Sequence, residues 1–111
     1  MRRFLQLAFL AVLAAMLWVT WTASLDRDVL TAGRALWADP WGKATLFDAY
    51  FAFLTIWLFV AWRERTWLSR LLWLLAILVL GNFAIATYFL IALFRLPPGA
   101  DWGRIFERLP R

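Results

Sequence analysis

Asp48 is the residue best placed to do chemistry in this chain. It is the one charge in the apolar run 46–62, and an ionisable side chain inside such a run is costly enough to count as a functional candidate. Taking 1.5 Å per residue along antiparallel helices centred near Phe53 and Asn82 brings Asp48 level with Thr87 and Tyr88. A carboxylate facing a phenol, Asp48 with Tyr88, is then either a structural hydrogen bond or a small polar pocket. The same residue has a plainer reading. Thr45-Leu46-Phe47-Asp48 fits a capping box, a hydroxyl at the cap and a carboxylate three residues on, which makes Asp48 a helix-start group near a surface. Asn82 is the deepest amide, Gly81 precedes it, and Thr55 lies near the matching depth of the preceding run. These three are expected to be polar and small packing contacts between helices.

Other chemistry is limited by what is missing. The chain has no Cys and no His, which removes disulfides, thiolate nucleophiles, iron–sulfur clusters, the usual zinc sites and imidazole acid–base catalysis. No metal site and no cofactor is expected. A phosphate-binding glycine loop, a nucleophile motif and the paired broken helices of a secondary transporter are also absent from the sequence.

The elements that must position these residues follow from three apolar runs. Hydrophobic residues make up 65% of the chain, against ~45–50% in an ordinary globular protein, too little polar surface to cover a fold in water. Residues 4–22, 46–62 and 71–94 hold nineteen, seventeen and twenty-four residues, with Asp48 the single charge among them. About twenty residues cross a 30 Å hydrocarbon core. The expected fold is an all-α membrane protein with three transmembrane helices, at about 4–22, 44–62 and 71–94. The first run follows Met1-Arg2-Arg3, as a signal peptide would, yet it exceeds the ~7–15 apolar residues usual there and reads as a retained helix. Between the first two spans, Val29, Leu30, Gly33, Leu36 and Trp37 share one helical face and Asp39-Pro40 ends the pattern, which predicts an interfacial amphipathic helix at about 26–38. After Pro97-Pro98, Trp102, Ile105, Phe106 and Leu109 share a face behind Asp101 as a cap. That is either a short amphipathic tail at about 101–109 lying on the membrane or a frayed basic terminus.

Charge gives an equivocal direction. The formal net charge is +5, grouped in short loops in the way that suits lipid headgroups better than nucleic acid. With three spans and the N-terminus inside, five basic residues lie in the cytoplasm and seven outside. The dense start Met1-Arg2-Arg3 nonetheless favours a cytoplasmic N-terminus, with the loop 63–70 inside and both 26–43 and the tail outside, in a multi-pass protein of the cell inner membrane. Eight of the nine tryptophans fall near the ends of the runs, where indoles settle at headgroup depth; Trp57 is the exception. Beyond the bilayer, the stripe Ala8, Ala11, Ala15 suits close helix contact with a larger membrane complex or a second copy.

Asp39-Pro40-Trp41, Ala44-Thr45-Leu46, Asp48-Ala49-Tyr50, Arg63-Glu64, Gly81-Asn82 and Tyr88 together resemble a plant and bacterial family of small membrane proteins classed as a domain of unknown function. The resemblance covers about residues 37–95. It implies a helical integral membrane fold and supplies no reaction, cofactor or catalytic residue. Two classes of function follow. The favoured one is a scaffold, assembly factor or accessory subunit packing against other membrane helices. The other is a small intramembrane enzyme or carrier acting on a lipid or isoprenoid through Asp48. One acid without a partner base is a thin constellation for catalysis.

Overall fold

The computed structural model describes residues 1–110. All regular structure among them is helical: α1 (Arg2–Asp26), α2 (Val29–Ala38), α3 (Pro40–Arg63), α4 (Trp67–Leu80), α5 (Asn82–Phe94) and a 3₁₀ helix (Trp102–Phe106). Of these, α1 and α3 are long and apolar enough to cross a membrane. At 25 and 24 residues they are each about 36 Å long.

The third apolar run does not form one helix. At Gly81 the backbone takes φ 58° and ψ −124°, a conformation open to glycine and strained for any residue with a Cβ. Gly81 closes α4 by donating its N–H to the Ile77 carbonyl, and its own carbonyl starts α5 by accepting from Ala84 and Ile85. The chain doubles back there. Ile77 and Ala84 share one buried cluster, and farther from the turn the Trp73 and Tyr88 rings meet edge to face at 4.9 Å, a pairing a straight helix would hold about 22 Å apart. The expectation of a continuous helix over 71–94 is therefore corrected to an antiparallel helical hairpin. Its arms, 14 and 13 residues, are each about 20 Å long, short of a 30 Å core.

The corner between α2 and α3 is built by Asp39-Pro40. Asp39 ends α2 and caps α3, its carboxylate accepting from the Gly42 N–H at 3.0 Å, with Pro40 at the first helical position, where it lacks only an N–H that would be unbonded anyway. Gly42 allows the tight approach, since a Cβ there would sit 2.4 Å from the Leu36 carbonyl oxygen. Helix α3 thus begins four residues before the expected start at 44. The Thr45–Asp48 capping box does not form: the Thr45 hydroxyl donates to the Trp41 carbonyl, and Asp48 stands exposed two turns inside the helix. At the start of α2 the Thr31 hydroxyl donates to Asp28 and holds that carboxyl below its ordinary range.

Packing concentrates at one end. Helix α1 runs antiparallel to α5, with Phe9 stacked on Phe89 at 5.2 Å and Phe89 on Phe59 of α3 at 5.9 Å, and the Arg2 guanidinium donates to the carbonyls of Leu96 and Pro97. The last residues dock on this end. Ile105 is buried against Phe89, Ala92 and Leu93, and the Leu109 N–H donates to the Arg63 carbonyl at 3.0 Å. The expected amphipathic tail is a 3₁₀ turn over Trp102–Phe106, and Asp101 makes no side-chain cap. Five residues containing Gly103 are too few for a stable α-helix.

One end of the molecule therefore gathers Arg2, Arg3, Arg63, Arg65, Arg70, Arg95, Arg104 and Arg108, while Arg27, Arg34 and Lys43 lie at the other. The tail sits with the N-terminus and the α3–α4 turn. Its expected place on the opposite side is corrected, because the hairpin at Gly81 returns the chain to the end it left.

Candidate functional site

The polar residues singled out above are not brought together as expected. Tyr88 lies at the level of Arg63, about 22 Å down α3 from Asp48 at 1.5 Å per residue, and its phenol is engaged there. Thr55 donates its hydroxyl to Phe51 of its own helix, and Asn82 stands exposed at the first position of α5. No bond joins the two. Gly81 is buried against the Phe53 ring, where a Cβ would come within 2.9 Å of ring carbon Cζ.

Instead the hairpin carries Tyr88 to the C-terminal end of α3. Arg63 is the last residue of that helix, where a cation also meets the negative end of the helix dipole. Its side chain is 9% exposed, and that of the following Glu64 is 13% exposed. Arg63 Nη1 donates to the Tyr88 hydroxyl at 2.9 Å, and that hydroxyl donates to Glu64 Oε2 at 2.9 Å. The other carboxylate oxygen, Oε1, accepts from the Ser69 hydroxyl. Direct contact between guanidinium and carboxylate is looser, 4.0 Å, so the phenol is the bridge. Both Glu64 oxygens are thus held, a weak arrangement for a general base that must meet a substrate.

Arg63 is not fully satisfied. Its Nε is buried with no hydrogen-bond partner, and a buried donor left unmade forfeits about 1–3 kcal/mol. The side chain borders a cavity of about 400 Å³. The cavity is lined by Arg63, Glu64, Ser69, Trp73 and Tyr88, by Ile91, Ala92 and Arg95 at the end of α5, and by Leu96, Pro97, Arg104, Glu107, Arg108, Leu109 and Pro110 beyond it. Arg104 pairs with Glu107 at 3.6 Å, both more than half exposed, a pairing worth little in water. Arg108 donates Nε to the Trp62 carbonyl. Four arginines against two glutamates leave the cavity electropositive. Among the described residues no cluster of acidic side chains could hold a metal ion.

Arg63 and Glu64 were legible as loop charges and as part of the family resemblance, but not as a site. The signal that could have found them is Gly81-Asn82 read as a turn: folding the run about that point lays Tyr88 beside Trp73 and returns it to the residues just before α4.

The matching family description is "Protein of unknown function (DUF1475)", over residues 4–100. The chain belongs to that family. No curated protein and no solved structure matches it. The family match is wider than the resemblance over 37–95, taking in α1 as well, and it includes Arg63, Glu64, Ser69, Tyr88 and Arg95 while stopping short of Arg104 and Arg108.

Proposed function

We propose that this DUF1475 chain is an integral membrane protein with two spans, α1 and α3, and a hairpin, α4–α5, that enters and leaves the bilayer from the cytoplasmic face. Its role in this reading is that of an accessory or assembly subunit, packing through its long apolar helices and presenting a basic end to the cytoplasm. The observation that carries the reading is the sorting of charge. Among the described residues, eight arginines at one end face three basic residues at the other, the asymmetry the positive-inside rule associates with the cytoplasmic side.

Tryptophan supports the same boundaries. Trp62, Trp67 and Trp102 lie at the basic end and Trp18, Trp21, Trp37 and Trp41 toward the other, most of them exposed, as two headgroup belts require. The apolar face of α2 supports a helix lying in the interface: Val29 and Leu30 are 81% and 68% exposed, and Trp37, though its ring meets Phe47 and Lys43 of α3, is still 54% exposed. An enzyme centred on Asp48 gains nothing from this geometry, since the phenol assigned to it belongs to Glu64 and Arg63.

The test is single cysteines at Ser69, Asp101 and Thr31, probed with a membrane-impermeant maleimide in intact cells and again in inverted vesicles. Thr31→Cys should label only in cells, and the other two only in vesicles. Labelling of Asp101→Cys from outside in intact cells would restore three full spans and defeat this topology.

A further inference from the structure

We infer that the cavity at the C-terminal end of α3 binds a phosphate group through the guanidinium groups of Arg63, Arg95, Arg104 and Arg108 that line it. Three observations converge on it. First, the Arg63 side chain is nine-tenths buried, already fixed by Tyr88 and still missing a partner at Nε. The one carboxylate beside it, Glu64, stands no closer than 4.0 Å, so an anion in the cavity adds a counter-charge to a guanidinium that is only loosely paired. Second, Arg95, Arg104 and Arg108 approach the same space from two different elements. Planar guanidinium forks suit tetrahedral phosphate oxygens, and Glu64 and Glu107 balance only two of the four charges. Third, the space is asymmetric. About 400 Å³ exceeds a bare phosphate, and the lining also includes Trp73, Ile91, Leu96 and Leu109, apolar surface suited to the glycerol and first methylenes of a phospholipid.

The shared chemistry is a phosphate held by arginine, from either an anionic lipid headgroup or free phosphate. The lipid source rests on the membrane reading above, which places the basic end at headgroup depth; the free-phosphate source does not.

The experiment uses the full chain in mild detergent and follows thermal unfolding by tryptophan fluorescence at constant ionic strength. Three probes are added: inorganic phosphate, a phosphatidic acid, and the diacylglycerol with the same acyl chains. Stabilisation by phosphatidic acid and not by diacylglycerol assigns a lipid headgroup. Stabilisation by inorganic phosphate assigns the free ion, alone or beside the lipid. In either case Arg95→Gln, at the rim and outside the buried network, should weaken binding about tenfold, the loss of one charge-assisted hydrogen bond, while Arg34→Gln at the far end leaves it unchanged. Arg63→Gln should abolish binding; because that residue also supports the fold, Arg95→Gln is the deciding variant. No stabilisation by either phosphate compound, or stabilisation equal in Arg95→Gln and the parent, overturns the site. Neither result touches the topology, which cysteine labelling decides separately.

Discussion

The bridge Arg63–Tyr88–Glu64 shows why a buried arginine can sit beside a partly buried glutamate without a close ion pair. Two charges 4.0 Å apart gain less from each other than from a phenol that accepts from one and donates to the other, and a buried charge stripped of its partner is expensive. Tyr88→Phe removes that bridge and almost nothing else. It should lower stability by about 1–3 kcal/mol, read as a lower melting temperature in detergent, with Arg63 and Glu64 both left a partner short. Asp48 makes the opposite case. Exposed on α3 and without the phenol, it should tolerate Asp48→Asn within about 0.5 kcal/mol, and correct insertion and partner capture should persist. Complete loss of function in a folded, inserted Asp48→Asn protein would instead put that carboxylate at the centre of a mechanism and sink the accessory-subunit reading.

At the scale of elements the deciding feature is Gly81, held at φ 58° with the Phe53 ring in its crook. Gly81→Ala meets two obstacles, a backbone conformation that a Cβ disfavours and a ring 2.9 Å away. Together they should cost at least about 2 kcal/mol. In a Phe53→Ala background the clash is gone but the backbone strain stays, so the thermal shift caused by Gly81→Ala should shrink without vanishing. The same feature marks how far the sequence could be read. The length of an uncharged run was sufficient to read α1 as a helix, and periodicity with the break at Asp39-Pro40 was sufficient for α2, because each depends on neighbours in the chain. Length arithmetic was not sufficient for 71–94, since twenty-four uncharged residues serve one full crossing or two half crossings equally well. Gly81 reads equally as a small residue in a helix contact or, with Asn82, as a turn, and the ring it turns against, Phe53, is distant in sequence. The site went with it: Asp48 and Tyr88 were matched in depth on the assumption of a straight third helix, and once that helix folds back Tyr88 moves to Arg63.

For the whole molecule the hairpin removes a contradiction. With three spans, the basic tail opposed the basic N-terminus; with both at one end, eight arginines agree. Orientation should therefore no longer hang on the first three residues. Changing Arg2 and Arg3 together to Glu should keep Ser69→Cys and Asp101→Cys protected in intact cells, because six arginines remain at that end. Some stability should be lost with the Arg2 bonds to Leu96 and Pro97. Inversion of the labelling pattern would show that the first helix alone dictates direction.

The contact between Phe53 and Gly81 also has an order in time. Phe53 leaves the ribosome before Gly81, so the third apolar run emerges beside a helix already waiting with the surface on which it must turn. In the two-span topology proposed above, direction of synthesis then works as a chaperone, and the arginine-bearing tail is spared a passage through lipid. A circular permutant that makes residues 67–110 ahead of 1–63 reverses that order. It should let part of the population carry the run straight across and strand its tail on the far side, visible as outside labelling of Asp101→Cys.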